Sequence, residues 1–376
     1  MREIRGRWRR PLLGLGVAAG AFAATARPAL AHEKWFRESS EFPLRWDLLF
    51  RPLPLAFVAA VLLAVLAVAL LWRSRGGRGF LLGPEALGAT EERRALFYGL
   101  VPLILGVHVA VPLLVNGLQG NLFSPDNELP GVWANFLGFA ETGIALALFY
   151  GLFTRVAASA LVLLWLTGLF VMGPQPMLDN AFFLGFAAFF FLVGRGPYAL
   201  DRLLLPRLEP PAHLAGYALP TLRIGLGLSF VVVAFTEKLA NIPLGLAFLE
   251  EYPLNFTGAL GIPLSDEVFV LCAGAVELLV GMLILFGLFP RETVLVALVP
   301  INLTLTVFNW TELVGHLPIY GVLAVLLIWG RGDRNPELWT KGLREGPLAA
   351  DESLKRSAPT GPVEVKNGDR IAKPNG

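Results

Sequence analysis

Gly151-Leu152-Phe153-Thr154-Arg155 and Gly287-Leu288-Phe289-Pro290-Arg291 are one pentapeptide frame written twice, 136 residues apart. Working outward at that offset, Glu141 falls on Glu277, Gly185 on Gly321, and Gly194-Arg195-Gly196 on Gly330-Arg331-Gly332. Only 13 of 60 positions are identical between 137–196 and 273–332, but most sit at helix ends, at intramembrane charge or at glycine. Those are the places where physics restricts residue choice most. Self-similarity at a fixed period decides architecture before any motif does, so the chain is expected to carry two copies of one unit.

Composition identifies the solvent of those copies. Hydrophobic residues make up 55% of the 376 positions and charged residues only 16%. Apolar runs of about 20 residues recur along the chain, the length that crosses a bilayer. A soluble reading would need several helices apolar on every side inside one core. The expected class is an all-α polytopic membrane protein in contact with the lipid bilayer. The net charge of +2 comes with arginines spread over short loops. No basic face is formed, which excludes nucleic acid as a partner.

The N-terminus has the form of an export signal over 1–31. Arg2, Arg5, Arg7, Arg9 and Arg10 precede a short apolar stretch, and Ala29-Leu30-Ala31 is an A-x-A cleavage signature. Cleavage would expose His32; an uncleaved signal anchor is the alternative. Residues 32–51 are then an exported segment, with Trp35, Phe36, Phe42 and Trp46 at headgroup depth and Glu33, Lys34 and Arg37 in water.

Nine spans follow, near 52–72, 95–115, 132–152, 156–173, 180–194, 218–236, 267–288, 293–309 and 317–330. Alternate connections hold Arg73, Arg75, Arg78, Arg93 and Arg94, then Arg155, then Arg195, Arg202 and Arg207, then Arg291, then Arg331 and Arg334. The intervening loops 116–130, 174–179 and 310–316 contain no Lys or Arg. By the positive-inside rule the arginine-rich side is cytoplasmic, giving an exported N-terminus and a cytoplasmic C-terminus in the inner or plasma membrane. Each copy is a four-helix unit, 95–196 and 218–332, joined by a cytoplasmic linker 197–217. Four spans are an even number, so the two bundle repeats are parallel, preceded by one N-terminal transmembrane helix. The tail 333–376 is expected to be mostly disordered, with one short interfacial helix opening at Asn335-Pro336-Glu337.

Two groups of residues are candidates for chemistry. Glu141 and Glu277 lie near the middle of their spans, where an ionised carboxylate is costly, so each is expected to be protonated or paired. Toward the exported side lie His108, Glu237, Lys238, Asn309, Glu312 and His316. Structural hydrogen bonding between helices is the plain alternative for every one of them. Arg155 and Arg291 fit positive-inside anchors. Glycines at 138, 143, 225, 227, 274 and 281 fit close helix approach. With Cys272 the single cysteine, neither a thiol relay nor a cysteine-ligated cluster is available within the chain, and the spacing of the His and Glu residues matches no metal signature.

The run Arg223-Ile-Gly-Leu-Gly-Leu, then Glu237-Lys238-Leu239, Glu277-Leu-Leu-Val-Gly281, Gly287-Leu-Phe-Pro-Arg291, Glu312 and Gly315-His316-Leu-Pro resembles the DoxX family of four-helix membrane proteins. The resemblance covers 218–332; the copy at 95–196 has His108 and Asn180 where Glu-Lys and His would stand. It implies association with a membrane oxidoreductase, as in the related DoxD subunit of thiosulfate:quinone oxidoreductases. Whether such a chain is itself an enzyme the resemblance leaves open. Three functions are compatible with it. The first is a membrane subunit of a quinone-linked oxidoreductase with a partner subunit, Glu141, Glu277, His108, Glu237 and His316 exchanging protons and Glu237, Lys238 and His316 contacting the quinone. The second is a proton-coupled transporter using Glu141 and Glu277 as paired gates. The third is a scaffold that anchors an exported partner through 32–51.

Overall fold

The computed structural model describes residues 33–36, 41–331 and 337–344. The signal 1–31, His32, Arg37 and the tail beyond 344 lie outside them. The helices are α1 (Glu33–Phe36), α2 (Trp46–Leu49), α3 (Pro52–Ser74), α4 (Glu91–Gln119), α5 (Val132–Tyr150), α6 (Thr154–Val171), α7 (Pro174–Asp179), α8 (Phe182–Val193), α9 (Leu200–Leu204), α10 (Ala218–Val233), α11 (Ile242–Glu251), α12 (Asp266–Phe286) and α13 (Pro290–Trp329). Residues 337–344 form a further helical stretch. The chain is an all-helical integral membrane protein, with seven described helices long and apolar enough to span a bilayer.

Nine spans are expected from the sequence, and the difference has a physical origin at two places. The stretch expected to span as 180–194 is α8, whose 12 residues reach only about 18 Å. It is nevertheless the centre of the core: Phe183, Phe186, Phe189 and Phe190 are buried, and Gly185 lets its backbone meet Gly225 of α10 closely. The arm 293–309 is the other one outside the seven. It belongs to α13, whose helical turns run unbroken through the stretch 310–316 expected as a loop.

That continuity hides a reversal. Arg291 Nε donates to the Leu327 carbonyl at 3.0 Å although 36 residues separate them. Drawn straight, such a helix would hold them about 54 Å apart, far beyond the reach of an arginine. The Tyr320 hydroxyl likewise donates to Asn302 Oδ1 at 3.2 Å. Both pairs converge on a turn near Trp310, so α13 is two antiparallel arms that keep helical turns around the bend.

At one end of the bundle, here the arginine end, the pentapeptide frames build matching corners. Gly151 and Gly287 have φ of 67° and 65°, and Phe153 and Phe289 have φ of 52° and 43°. A left-handed glycine closes each helix, and a second left-handed residue restarts the chain. Arg155 Nε donates to the Phe191 carbonyl at 3.1 Å, as Arg291 does to Leu327. Arg195 reaches the Leu148 and Phe149 carbonyls, and Arg223 reaches those of Ile284 and Leu285. Each arginine thus satisfies carbonyls that a helix C-terminus leaves orphaned. Asp201 accepts from the backbone N–H of Phe153 and Thr154 at 2.5 and 2.7 Å and caps the start of α6.

Two expectations fail at particular residues. Gly143 meets nothing where a Cβ would stand, so it serves no helix approach. Trp339, within the short helix expected at the interface, is buried and donates Nε1 to the Ala215 carbonyl at 2.6 Å. The stretch 337–344 is docked on the bundle.

Candidate acid–base site at the acidic end

The opposite, acidic end is organised by an irregularity in the chain. From Ala234 to Leu239 the backbone of α10 widens into π turns, a distortion frequent at functional sites. It carries Thr236, Glu237 and Lys238 in succession, with Thr236 and Glu237 buried. Lys238 Nζ lies 3.2 Å from Glu277 Oε2, 3.5 Å from Glu33 Oε1 and 3.6 Å from Glu237 Oε2. One ammonium therefore serves three carboxylates drawn from α1, the π segment and α12.

Helix α1 supplies the second half of the site. Lys34 Nζ donates to the Asp179 carboxylate and, at 3.0 Å, to Thr236 Oγ1. The Thr236 hydroxyl in turn donates to Asp179 Oδ1 at 2.8 Å. Trp35 packs on Gly315, its ring centroid 5.9 Å from that of His316. His316 Nδ1 is 3.2 Å from Glu312 Oε1. Helix α1 thus ties Asp179 at the end of α7 to Gly315 within α13. The expectation that Glu33 and Lys34 stand in water is overturned: both side chains are buried because the bundle offers each an opposite charge.

Among the described residues, Glu33, Glu237, Glu277, Asp179 and Glu312 face Lys34, Lys238 and the His316 imidazole. A buried excess of acid over base is relieved by taking up protons. Outside the spans the direction is clear. Burial pushes the Glu33 carboxyl up to about 7; Lys238 pulls it down, and Glu237 and Glu277 push it further up. Burial also raises Asp179 above the usual carboxylate range, against the pull of Lys34. Burial disfavours the Lys34 ammonium, but Asp179 and Glu237 outweigh it and leave the group above its ordinary value. Glu33 Oε2 is buried without a hydrogen-bond partner and is available to a proton or a ligand.

Of the residues singled out from sequence, the structure brings together Glu237, Lys238 and Glu277, and separately pairs Glu312 with His316 near Trp35. Glu141 and His108 stay apart. Glu141 is fully buried and accepts the Phe123 backbone N–H at 3.0 Å, holding a left-handed residue of the loop after α4. His108 directs Nδ1 to the Ile104 carbonyl of its own helix at 2.7 Å and packs at Gly321. Sequence reasoning missed Asp179 and Thr236. Asp179 is the one acid in the stretch 174–179, which holds no Lys or Arg, and that contrast was the available signal. No family model, curated protein or solved structure matches the chain.

Proposed function

We propose that this integral membrane chain is a DoxX-like membrane subunit of a quinone-linked oxidoreductase, and that the Lys238 cluster exchanges protons with the quinone. The observation that carries the reading is the closed group of Lys238, Glu33, Glu237 and Glu277 at the acidic end. A quinone changes its charge by two electrons and needs matching protons at its carbonyl oxygens. In this reading Glu33 holds such a proton, Lys238 balances the carboxylates of Glu277 and Glu237 around it, and His316 with Glu312 extends the acid–base chain. The donor set is that of an acid–base site for a neutral carbonyl ligand, with Glu33 Oε2 still unused.

In this proposal the acidic end faces outward and the arginine end faces the cytoplasm of an inner or plasma membrane. The two four-helix halves are parallel repeats, supported by the shared φ values at Gly151 and Gly287 and the shared carbonyl contacts of Arg155 and Arg291. Reporter fusions near residues 123 and 177 are expected outside.

A second reading, a scaffold for an exported partner, is favoured by α1. Its Glu33 and Lys34 charges fasten the start of the described chain into the bundle. The transporter reading fares worse, because Glu141 and Glu277 are held by different partners and share no contact. Titration of the purified chain with a water-soluble quinone analogue separates the first two. Saturable binding that weakens in Glu277→Gln supports the oxidoreductase subunit; partition into the detergent alone, with a soluble partner retained on purification, supports the scaffold.

A further inference from the structure

The cavity described at the arginine end, about 180 Å³, lies where the frame at Thr154-Arg155, the Gly194-Arg195-Gly196 turn, the 197–217 connection and the 337–344 stretch meet. Four arginines line it, Arg155, Arg195, Arg202 and Arg344. The two acids on its wall are already engaged. Both Asp201 oxygens cap the start of α6, and Glu209 stands 3.6 Å from Arg202 Nε. Arg202 is further spent on the last carbonyls of the 337–344 stretch, those of Leu343 and Arg344. Arg155, Arg195 and Arg344 have no carboxylate partner among the described residues.

Independently of charge, two wall residues hold buried polar atoms without partners. They are Thr154 Oγ1 and Arg195 Nη1, on side chains 1% and 2% exposed. A buried hydroxyl and a buried guanidinium N–H that bond to nothing cost free energy unless a ligand completes them. Donors in excess, carboxylates engaged and guanidinium forks together define the chemistry of an oxyanion, and phosphate matches arginine best.

We propose that this cavity binds a phosphate-bearing anion, with Arg155 and Arg344 at its mouth and Thr154 and Arg195 on its inner wall. The site lies beyond the last turns of α5 and α8, at the level where headgroup phosphates lie, so a phospholipid headgroup and a free phosphate are both sources of the same chemistry. Binding also ties the 337–344 stretch to the bundle, because Arg344 and Thr340 share the cavity with Arg155.

The full chain, purified in detergent and stripped of lipid, is titrated with short-chain phosphatidylglycerol, with short-chain phosphatidylcholine and with inorganic phosphate. Binding and the thermal unfolding midpoint are read together. The site predicts saturable, salt-sensitive binding with a raised midpoint. Affinity should fall at least tenfold in Arg155→Gln/Arg344→Gln and by a smaller factor in Arg344→Gln, whose exposed side chain makes no contact needed for folding. Preference for phosphatidylglycerol assigns the lipid source, and equal or tighter binding of inorganic phosphate assigns the free anion. Absence of saturable binding by all three probes, or unchanged affinity in a folded Arg344→Gln and in the double variant, overturns the proposal.

Discussion

Lys238 Nζ and Glu277 Oε2 stand 3.2 Å apart, joining the π segment that ends α10 to the middle of α12. Within the repeated region Lys238 alone breaks the Lys- and Arg-free pattern of the acidic end, and three carboxylates surround it. Removing the ammonium leaves those carboxylates facing one another in a buried volume. Lys238→Met should therefore cost on the order of 3–5 kcal/mol of stability, while Lys238→Met/Glu277→Leu recovers part of the loss. Unfolding midpoints of the parent, the two single variants and the double variant measure the coupling, and strictly additive losses would show the pair to be uncoupled.

Glu33 links the site to pH. Its carboxyl holds a proton up to about 7 when docked, against an ordinary 4.5. Between those values the docked form binds more protons than the released form, so docking weakens as pH rises through that window and is weakest above 7. A tenfold difference in proton affinity between the two forms corresponds to about 1.4 kcal/mol. Asp179, also raised by burial, acts in the same direction from lower pH, whereas the raised Lys34 keeps its charge throughout the window. The unfolding midpoint should fall between about pH 5 and about pH 8, with a flatter slope in Glu33→Gln. A parent whose midpoint climbs over that interval contradicts the docking of α1.

Glu141 should behave as a fastening and not as a proton site. Its contact is the Phe123 N–H, which an amide oxygen also accepts. Glu141→Gln is expected to fold and function as the parent does, and Glu141→Leu to lose about 1–3 kcal/mol by orphaning that N–H in a buried loop. Loss of quinone binding in a stably folded Glu141→Gln protein would place Glu141 in the chemistry instead.

The reversal in α13 is open to direct distance measurement. Spin labels introduced by Asn302→Cys and Tyr320→Cys, with Cys272→Ala as background, should report a short separation because the native side chains touch at 3.2 Å. A straight helix would put these positions about 27 Å apart, and that result would replace the two antiparallel arms with one long rod.

What the sequence made legible follows from how local its causes are. The frames at Gly151 and Gly287 were readable as a repeat because a left-handed helix end demands glycine in both places, but Arg155 and Arg291 read only as positive-inside anchors, since the carbonyls they satisfy belong to helix ends 36 residues away. The partners of Lys238 and Lys34 were not readable either. Lys34 meets Thr236 across 202 residues, and nothing in an amphipathic segment announces that the bundle carries carboxylates to receive its charge. Glu141 and Glu277 look alike at the repeat offset, yet one binds a backbone N–H and the other an ammonium, because only the second half carries Glu237-Lys238 on a π turn. Helix α11 went unseen because its 10 residues are too short for an apolar span. The stretch 310–316 was expected as a loop, since a change of direction usually breaks helical turns and here it does not.

The central claim is that the Lys238 cluster serves a quinone, and the most direct test is to ask what the membrane leaves in the protein. The chain is solubilised gently, purified, extracted with organic solvent, and its small molecules identified and counted against protein. A quinone is expected near one per chain in the parent and depleted in folded Glu277→Gln and His316→Ala proteins. A parent that yields phospholipid but no quinone, and takes up none when quinone is supplied in excess, would contradict it.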